Sequence, residues 1–274
     1  PPRRNSLPDQ RKDSGGGMSR MLFSGYRLDI ARVADHLANM GWCEGSAGNI
    51  SLLLPRGEYT HEEHQQASMP LPEPIRPLAG RTILITTGGS RFRRMMIDRE
   101  TAIIPVTVSR FGNSVLWPEG SDKPSSELST HLQVLALAEG RGWPSASIVH
   151  THSTSMLALS SSDLPGETLE DAMWRAHPEL SQLLENGLHF LDFQPPGTWE
   201  LGENTAELFT RSDVVIWRKH GILSFGPDPD TACDYVELAE KAASLLLMEM
   251  NAFGRFQGLK DRELKVLRDD LARD

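Results

Sequence analysis

Two histidines separated by a single residue are the first sign of chemistry in this chain. They are His150 and His152, in the strand-like run SIVHTHS (147–153). Side chains alternate across a strand, so both imidazoles project from one face and Thr151 projects from the other. Two imidazoles placed in this way can bind one cation, at about 2.0–2.1 Å for zinc. The pair alone is equally compatible with two surface or hydrogen-bonded histidines.

His220 is the candidate for a third ligand because it closely follows a strand-like run, VVIW (214–217). Gly221 comes next and would permit close backbone packing or a positive φ. Structural zinc sites usually contain cysteine thiolates, and neither Cys43 nor Cys233 is near the histidine pair in sequence. The pattern therefore favours a histidine-rich catalytic site with open positions, although a lone histidine at a strand end is more often structural. The other histidines lie on predicted helices or in polar loops and are first expected to be structural: His36, His61, His64, His131, His177 and His189.

Three glycine or serine segments are of the kind that binds a phosphate group. One precedes a predicted strand, one follows a strand, and one opens a helix. Glycine lets backbone N–H groups approach phosphate oxygens, serine adds hydroxyl donors, and a helix N-terminus adds free amides. Each segment also has an ordinary interpretation as a turn or as the start of a helix. The candidate residues are Gly48, Asn49, Gly88, Gly89, Ser90, Ser125 and Ser126.

Two glutamates differ in what their sequence surroundings predict. Glu127 follows Ser126 at the start of a helical pattern, where it is either a capping carboxylate or a general base beside a metal. Glu179, in the segment AHPE (176–179), has on these grounds only the character of a solvated helix carboxylate.

Strands and helices interleave along the chain, which predicts a single layered α/β domain. Residues 55–80, which are rich in polar residues and proline, predict a surface loop. Gly112-Asn113 predicts a hairpin between two strand-like halves of 108–117. Further strands are predicted at 82–86, 147–153 and 213–217, and helices at 18–41, 125–140, 171–184, 204–209 and 230–251.

Composition limits the classes of function and the domain organisation. The formal net charge of -9 argues against nucleic acid as a partner, because phosphate-backbone binding needs a surplus of Lys and Arg. No apolar run approaches the roughly 20 residues of a membrane span, and the first twenty residues lack the apolar region of a signal peptide. With two cysteines, a cytoplasmic protein without a disulfide scaffold is expected. Residues 1–20 are expected to form a disordered tail, and residues 21–274 the catalytic domain.

Five motifs, taken in order, resemble those of the class II aldolase/adducin-head family, over about residues 25–250. Within this family, the rhamnulose-1-phosphate aldolase branch is the most similar, through segments such as QPPGTWELGENTAE (194–207) and KHGILSFGP (219–227). Ser46 is a departure, because the branch has an asparagine at that point of its phosphate turn. The five motifs are GNIS (48–51), TGGS (87–90), PSSE (124–127), HTH (150–152) and KHG (219–221).

The resemblance implies a mixed, largely antiparallel sheet flanked by helices, in a cyclic homotetramer with active sites at subunit interfaces. It implies Zn²⁺ held by His150, His152 and His220. Glu127 would be the carboxylate near the metal that moves the proton. Glu179 would be a second carboxylate that reaches a neighbouring subunit's site. The seven glycine, asparagine and serine residues named above fall where the family holds the substrate phosphate.

The implied reaction is zinc-dependent cleavage of a ketose 1-phosphate resembling L-rhamnulose 1-phosphate into dihydroxyacetone phosphate and L-lactaldehyde. Fuculose-1-phosphate aldolases, pentulose-phosphate epimerases and methylthioribulose-1-phosphate dehydratases share the same motifs and remain alternatives. The fuculose branch uses tyrosines as proton donors, including one near its C-terminus, whereas this chain has only Tyr26, Tyr59 and Tyr235. A non-catalytic adducin-like interaction module is a further alternative, but such a module has no need of the three histidines and Glu127.

Overall fold

A nine-stranded sheet forms the centre of the described structure. The computed structural model describes residues 23–57, 66–184 and 186–271 of the chain. The strands are β1 (Asn49–Leu53), β2 (Gln66–Pro70), β3 (Thr82–Thr86), β4 (Ile103–Val108), β5 (Ser114–Pro118), β6 (Ala146–Thr151), β7 (Leu188–Leu191), β8 (Val214–Trp217) and β9 (Gly221–Gly226). Their order in the sheet is β2-β5-β4-β3-β1-β6-β9-β8-β7. Neighbouring strands are antiparallel except for β7 and β8, which are parallel.

Helices cover both faces of this sheet. The α-helices are α1 (Ser24–Asn39), α2 (Met95–Ala102), α3 (Leu128–Leu135), α4 (Thr154–Ser160), α5 (Gly166–Ala176), α6 (Pro178–Leu183), α7 (Trp199–Phe209), α8 (Pro229–Phe253) and α9 (Asp261–Leu271). Short 3₁₀ turns lie at Arg76–Leu78 and Phe92–Arg94.

Alternation along the strands divides the apolar residues between two cores. In β8, Val214 and Ile216 pack on the face that α1, α5 and α8 cover, while Val215 and Trp217 pack on the face that α3 and α7 cover. In β6, Val149 belongs to the first core and Ile148 to the second. Burial on both faces explains why these strands read as continuous apolar runs rather than as alternating ones.

The longest helix has clear start and stop signals. The Asp228 side chain accepts a hydrogen bond from the Thr231 amide at 2.8 Å, and Pro229 occupies the first turn of α8. Gly254 ends the helix in the left-handed region, at φ 69°. The buried stripe of Ala232, Val236, Ala239 and others, at spacings of three and four, faces the sheet.

The predicted fold class is confirmed, and several boundaries are corrected. The loop prediction for 55–80 is wrong at Gln66–Pro70, which forms an edge strand paired with β5. The predicted helix 171–184 is two helices, because His177 is extended and the residue before a proline disfavours the α conformation. Helix α3 ends at Leu135 rather than near residue 140. Helices α2, α4 and α9 and strands β4, β7 and β9 lie outside the predicted elements, apart from Val108 at the end of β4.

The expected disordered tail at residues 1–20 lies outside the described residues. Among the helices that the structure describes, none combines the length and the apolar character needed to cross a bilayer.

Candidate active site

The three predicted metal ligands lie together at one end of the central strands. His150 is on β6, His152 directly follows β6, and His220 directly precedes β9, which is hydrogen-bonded to β6. One ligand atom from each histidine lies within 4.8 Å of the others. The antiparallel pairing of β6 with β9 therefore brings residues 70 positions apart to one point.

Hydrogen bonds on the outer side of two rings fix which nitrogen faces the centre. His150 Nδ1 donates to the Ile222 carbonyl oxygen at 3.0 Å, and His152 Nδ1 lies 2.9 Å from a Glu44 carboxylate oxygen. Because each acceptor has no proton to give, each Nδ1 carries the hydrogen when the ring is neutral, and each Nε2 is left with a lone pair. Burial is the main cause that lowers the pKa of His150 to about 3, and the neighbouring His152 is the second cause. The His150 ring is therefore neutral at pH 7.

Gly221 makes the close grouping of the rings possible. A Cβ at this position would lie 2.7 Å from the Thr151 carbonyl oxygen, 2.8 Å from His150 Cε1 and 2.9 Å from His152 Cδ2. A glycine is therefore needed at this position for close packing and not for a positive φ. The left-handed residue is Lys219 instead, at φ 60°, which turns the chain just before His220.

Glu127 projects toward the same point from the start of α3. One carboxylate oxygen lies 3.5 Å from His150 Nε2, and the other lies 3.5 Å from His220 Nε2. Burial lowers the pKa of His220 to about 4, and its Nδ1 is a buried atom with no hydrogen-bond partner within the described residues. A carboxylate and unprotonated ring nitrogens all present lone pairs to each other, an arrangement that a cation between them would satisfy.

The donor set therefore fits a divalent metal ion. Three neutral imidazoles leave the charge of the ion uncompensated and leave coordination positions open, as in catalytic zinc sites. Imidazole ligands suit zinc, copper, iron and nickel, so the histidines alone select no single metal.

The three predicted phosphate segments lie at the same end of the sheet. The backbone N–H of Ser125 donates to the Thr86 carbonyl at 3.0 Å, and the N–H of Gly88 donates to the Lys123 carbonyl at 2.9 Å. These bonds join the TGGS turn to the PSSE segment. Gly48, at φ 82°, packs so closely on β6 that a Cβ would lie 2.9 Å from the His150 carbonyl oxygen. Gly89 and Ser90 complete the TGGS turn.

A cavity of about 500 Å³ adjoins two of these segments. Gly88, Ser125 and Ser126 form part of its lining, and the indoles of Trp117 and Trp199 form an apolar wall. The Ser125 hydroxyl also accepts the Glu127 amide at 3.3 Å, which ties the segment to the start of α3.

Glu179 makes no contact with the histidine cluster within the described residues. It lies in the first turn of α6, with 65% of its side chain exposed and its carboxylate 4.0 Å from His177 Nε2. It lines a groove of about 560 Å³ with Met40, Trp42 and residues of α8. The Trp42 carbonyl accepts the His152 amide at 2.9 Å, so the segment that carries Trp42 separates this groove from the metal centre.

Sequence reasoning missed one buried residue beside the site. His131, assigned to the structural histidines, forms a hydrogen bond with Asn49, which in turn donates to Glu127 at 2.8 Å. The signal that could have found it is its position four residues after Glu127, one turn further along the same helix face.

Comparison with known proteins identifies the class of protein that this fold and site define. The chain belongs to the class II aldolase family, because the family described as Class II Aldolase and Adducin N-terminal domain matches residues 28–247. The predicted family and lyase class are thereby confirmed.

Particular relatives agree with this assignment over most of the chain. A rhamnulose-1-phosphate aldolase of Listeria welshimeri is 30% identical, over 88% of this chain and 90% of its own length. The enzyme of that name from Pectobacterium atrosepticum is 27% identical, over 91% of this chain and 94% of its own length. Among solved structures, a sugar-phosphate aldolase from Thermotoga maritima superposes with a TM-score of 0.70 at 32% identity, covering 87% of this chain and 98% of its own.

Proposed function

We propose that this protein is a zinc-dependent aldolase that cleaves L-rhamnulose 1-phosphate, or a close ketose 1-phosphate, to dihydroxyacetone phosphate and L-lactaldehyde. The observation that carries the proposal is the placement of the Glu127 carboxylate 3.5 Å from two of the three clustered histidines. The names of the relatives supply the substrate class.

The reaction makes two demands on the protein. The C4 hydroxyl must lose its proton, and the carbon that is left negative when the C3–C4 bond breaks must gain one. A zinc ion held by His150, His152 and His220 would supply Lewis acidity that stabilises the negative charge developing on the substrate. Glu127 would take up a proton from solvent and pass it to C3, returning to the carboxylate form, because it is buried, held in place and adjacent to the metal position.

The phosphate would bind at the three turns beside Glu127. Seven candidate residues lie in these turns at the end of the sheet: Gly48, Asn49, Gly88, Gly89, Ser90, Ser125 and Ser126. Serine hydroxyls and backbone amides are suitable donors for a phosphate even in a protein of net charge -9, because binding depends on local donors. The 500 Å³ cavity beside Ser125 and Ser126 offers the space.

Glu179 would take the C4 hydroxyl proton in the site of a neighbouring subunit. Its exposure at the end of α6 supports this assignment, since an exposed carboxylate is free to enter another chain's site. The proposal includes a cyclic homotetramer and a cytoplasmic location.

Tyrosine chemistry of the fuculose type receives less support. Tyr26 and Tyr235 pack against the core on the α1 and α8 face of the sheet, whereas Glu127 stands beside the opposite face. Tyr59 lies outside the described residues.

A panel of sugar phosphates tests the proposal. We expect the zinc-loaded protein to cleave L-rhamnulose 1-phosphate, followed as released dihydroxyacetone phosphate, faster than it cleaves L-fuculose 1-phosphate, epimerises a pentulose 5-phosphate or dehydrates methylthioribulose 1-phosphate, each followed by its own product. Treatment with a chelator should abolish release, and added zinc should restore it. Faster turnover of another member of the panel would instead assign that reaction.

Metal content separates an enzyme from an adducin-like module. His150→Ala should lose the bound zinc, whereas His36→Ala should retain it, because His36 is a half-exposed histidine paired with Glu237 on the helices of the other face. A wild-type chain that binds no zinc and cleaves none of the sugars would contradict the proposal.

A further inference from the structure

Behind Glu127, four buried side chains from two elements form a ladder of hydrogen bonds. Asn49 and Ser51 are two residues apart on β1 and therefore project from the same face. Glu127 and His131 are four residues apart at the start of α3 and therefore lie one above the other. Each of the four residues, backbone included, is at most 7% exposed.

The distances define three contacts in series. Ser51 Oγ lies 2.6 Å from His131 Nδ1, His131 Nε2 is hydrogen-bonded to Asn49 Oδ1, and Asn49 Nδ2 donates to Glu127 Oε2 at 2.8 Å. The far end is anchored to β6, because the Ser147 hydroxyl donates to the Ser51 carbonyl at 2.7 Å.

The chemistry of the four groups fixes the direction of these bonds. The Asn49 oxygen can only accept, so His131 Nε2 must carry the hydrogen. Nδ1 of a neutral His131 is then an acceptor, and the Ser51 hydroxyl donates to it. Every bond therefore points toward Glu127, and the series ends on the carboxylate oxygen that also lies near His150.

We propose that His131 is a positioning residue that orients Asn49 and, through it, the Glu127 carboxylate. The Asn49 amide could otherwise rotate by half a turn and present its oxygen to the carboxylate. His131 prevents this rotation because its Nε2–H requires an oxygen opposite to it. Glu127 is thereby held by a donor on one side and stands 3.5 Å from two metal ligands on the other. The inference rests on the proposed function of Glu127.

The expected consequence is a loss of turnover without a loss of binding. Displacement of a reacting group by about 1 Å can cost about 10²-fold in rate. Within the described residues His131 hydrogen-bonds to Ser51 and Asn49 and to none of the three histidines, so the zinc content should change little and the loss should fall on kcat more than on the KM.

Three substitutions separate positioning from mere filling of the core. His131→Phe keeps a ring and removes both polar contacts. In His131→Gln, the side-chain amide lies about as far from the backbone as Nε2 of the histidine and restores an N–H donor there. In His131→Asn, the amide lies about as far from the backbone as Nδ1, so the Asn49 oxygen is left without a donor. We expect kcat with L-rhamnulose 1-phosphate to fall about 10²-fold in the Phe and Asn variants and to recover in the Gln variant.

A double substitution tests whether His131 acts through Glu127. In a Glu127→Gln protein, adding His131→Phe should lower kcat no further, because the group that it positions is already lost. Equal loss in the Gln, Asn and Phe variants, parallel with their thermal stability, would overturn the inference and leave His131 a structural residue. Normal turnover of Glu127→Gln alone would instead overturn the proposed role of Glu127.

Nitrogen NMR of the metal-free wild-type protein gives a readout that needs no substrate. We expect His131 to be the Nε2–H tautomer, with a slowly exchanging ring proton that shifts in Asn49→Ala. An Nδ1–H tautomer would reverse the required direction of the ladder and would overturn the inference whatever the activity of the variants.

Discussion

Glu127 and Glu179, the two carboxylates assigned to catalysis, occupy very different surroundings. The Glu127 side chain is 8% exposed, accepts a hydrogen bond from Asn49 and lies 3.5 Å from two histidines. The Glu179 side chain is 65% exposed, and its carboxylate lies 4.0 Å from His177 Nε2. The Glu127 carboxylate is held in place by residues of its own chain, whereas the Glu179 carboxylate is exposed.

The different surroundings of the two carboxylates indicate which part of the site a single chain can form. Strands β1, β6 and β9 are hydrogen-bonded neighbours, so the residues on them are fixed by the sheet itself. Helix α6 is a short segment of six residues, and within the described part of the chain no hydrogen bond fixes the carboxylate that it carries. We infer that the metal and proton-transfer half of the site is complete in the monomer, and that the second half depends on assembly.

Removal of the charge of Glu127 should have the largest effect. Glu127→Gln should lower kcat by about 10²- to 10⁴-fold, the usual contribution of general acid–base catalysis, while the bound zinc is retained. Steady-state kinetics with L-rhamnulose 1-phosphate and metal analysis measure the two effects. Glu139→Gln is the matched control, because Glu139 is a largely exposed carboxylate just beyond α3. Near-normal turnover of Glu127→Gln would contradict the assignment.

A mixing experiment tests whether the second carboxylate belongs to another chain. Glu127→Gln and Glu179→Gln proteins, each of low activity, should regain activity when dissociated together and reassembled. If a site combines Glu127 of one chain with Glu179 of the next, random assembly restores about one quarter of the sites, since each half is intact with a chance of about one half. Activity that stays at the level of the separate variants would show that both carboxylates serve the same chain's site.

The close packing of the histidines can be perturbed without removing any ligand. Gly221→Ala introduces a Cβ within 2.9 Å of two rings and a backbone carbonyl, so one ring must move. We expect zinc affinity to fall at least about tenfold, comparable with the loss of a group that orients a metal ligand. Gly25→Ala on α1 is the control, because nothing lies within 4 Å of the added methyl group. Zinc titrations that coincide for both variants would show that the packing at Gly221 has no bearing on the metal.

Many features of the site could be predicted from the order and spacing of residues along the chain. Strand alternation correctly placed His150 and His152 on one face, and the order of the motifs identified the family that comparison confirmed. Local pattern failed where long-range pairing decides the structure. Gln66–Pro70 is a polar edge strand, which is exposed enough to read as loop, and only its pairing with β5 makes it a strand.

His131 shows the same limit within the site. Its sequence context, an apolar helix, gives an ordinary buried histidine, and burial lowers its pKa to about 3 as for any such residue. What distinguishes it is that β1 passes beside α3 in a register that sets Asn49 against both Glu127 and His131. No spacing along the chain contains that register, because 78 residues separate Asn49 from Glu127.

The residue types, the shared face of the histidine pair and the class of enzyme could all be predicted from the amino-acid sequence. Only the tertiary structure decided that β6 and β9 bring His220 to that pair, that Gly221 admits the three rings, and that Asn49 links His131 to Glu127. The alternation of side chains along a strand and the periodicity of a helix are local properties. The register between strands, in contrast, depends on the packing of the whole sheet between its two layers of helices.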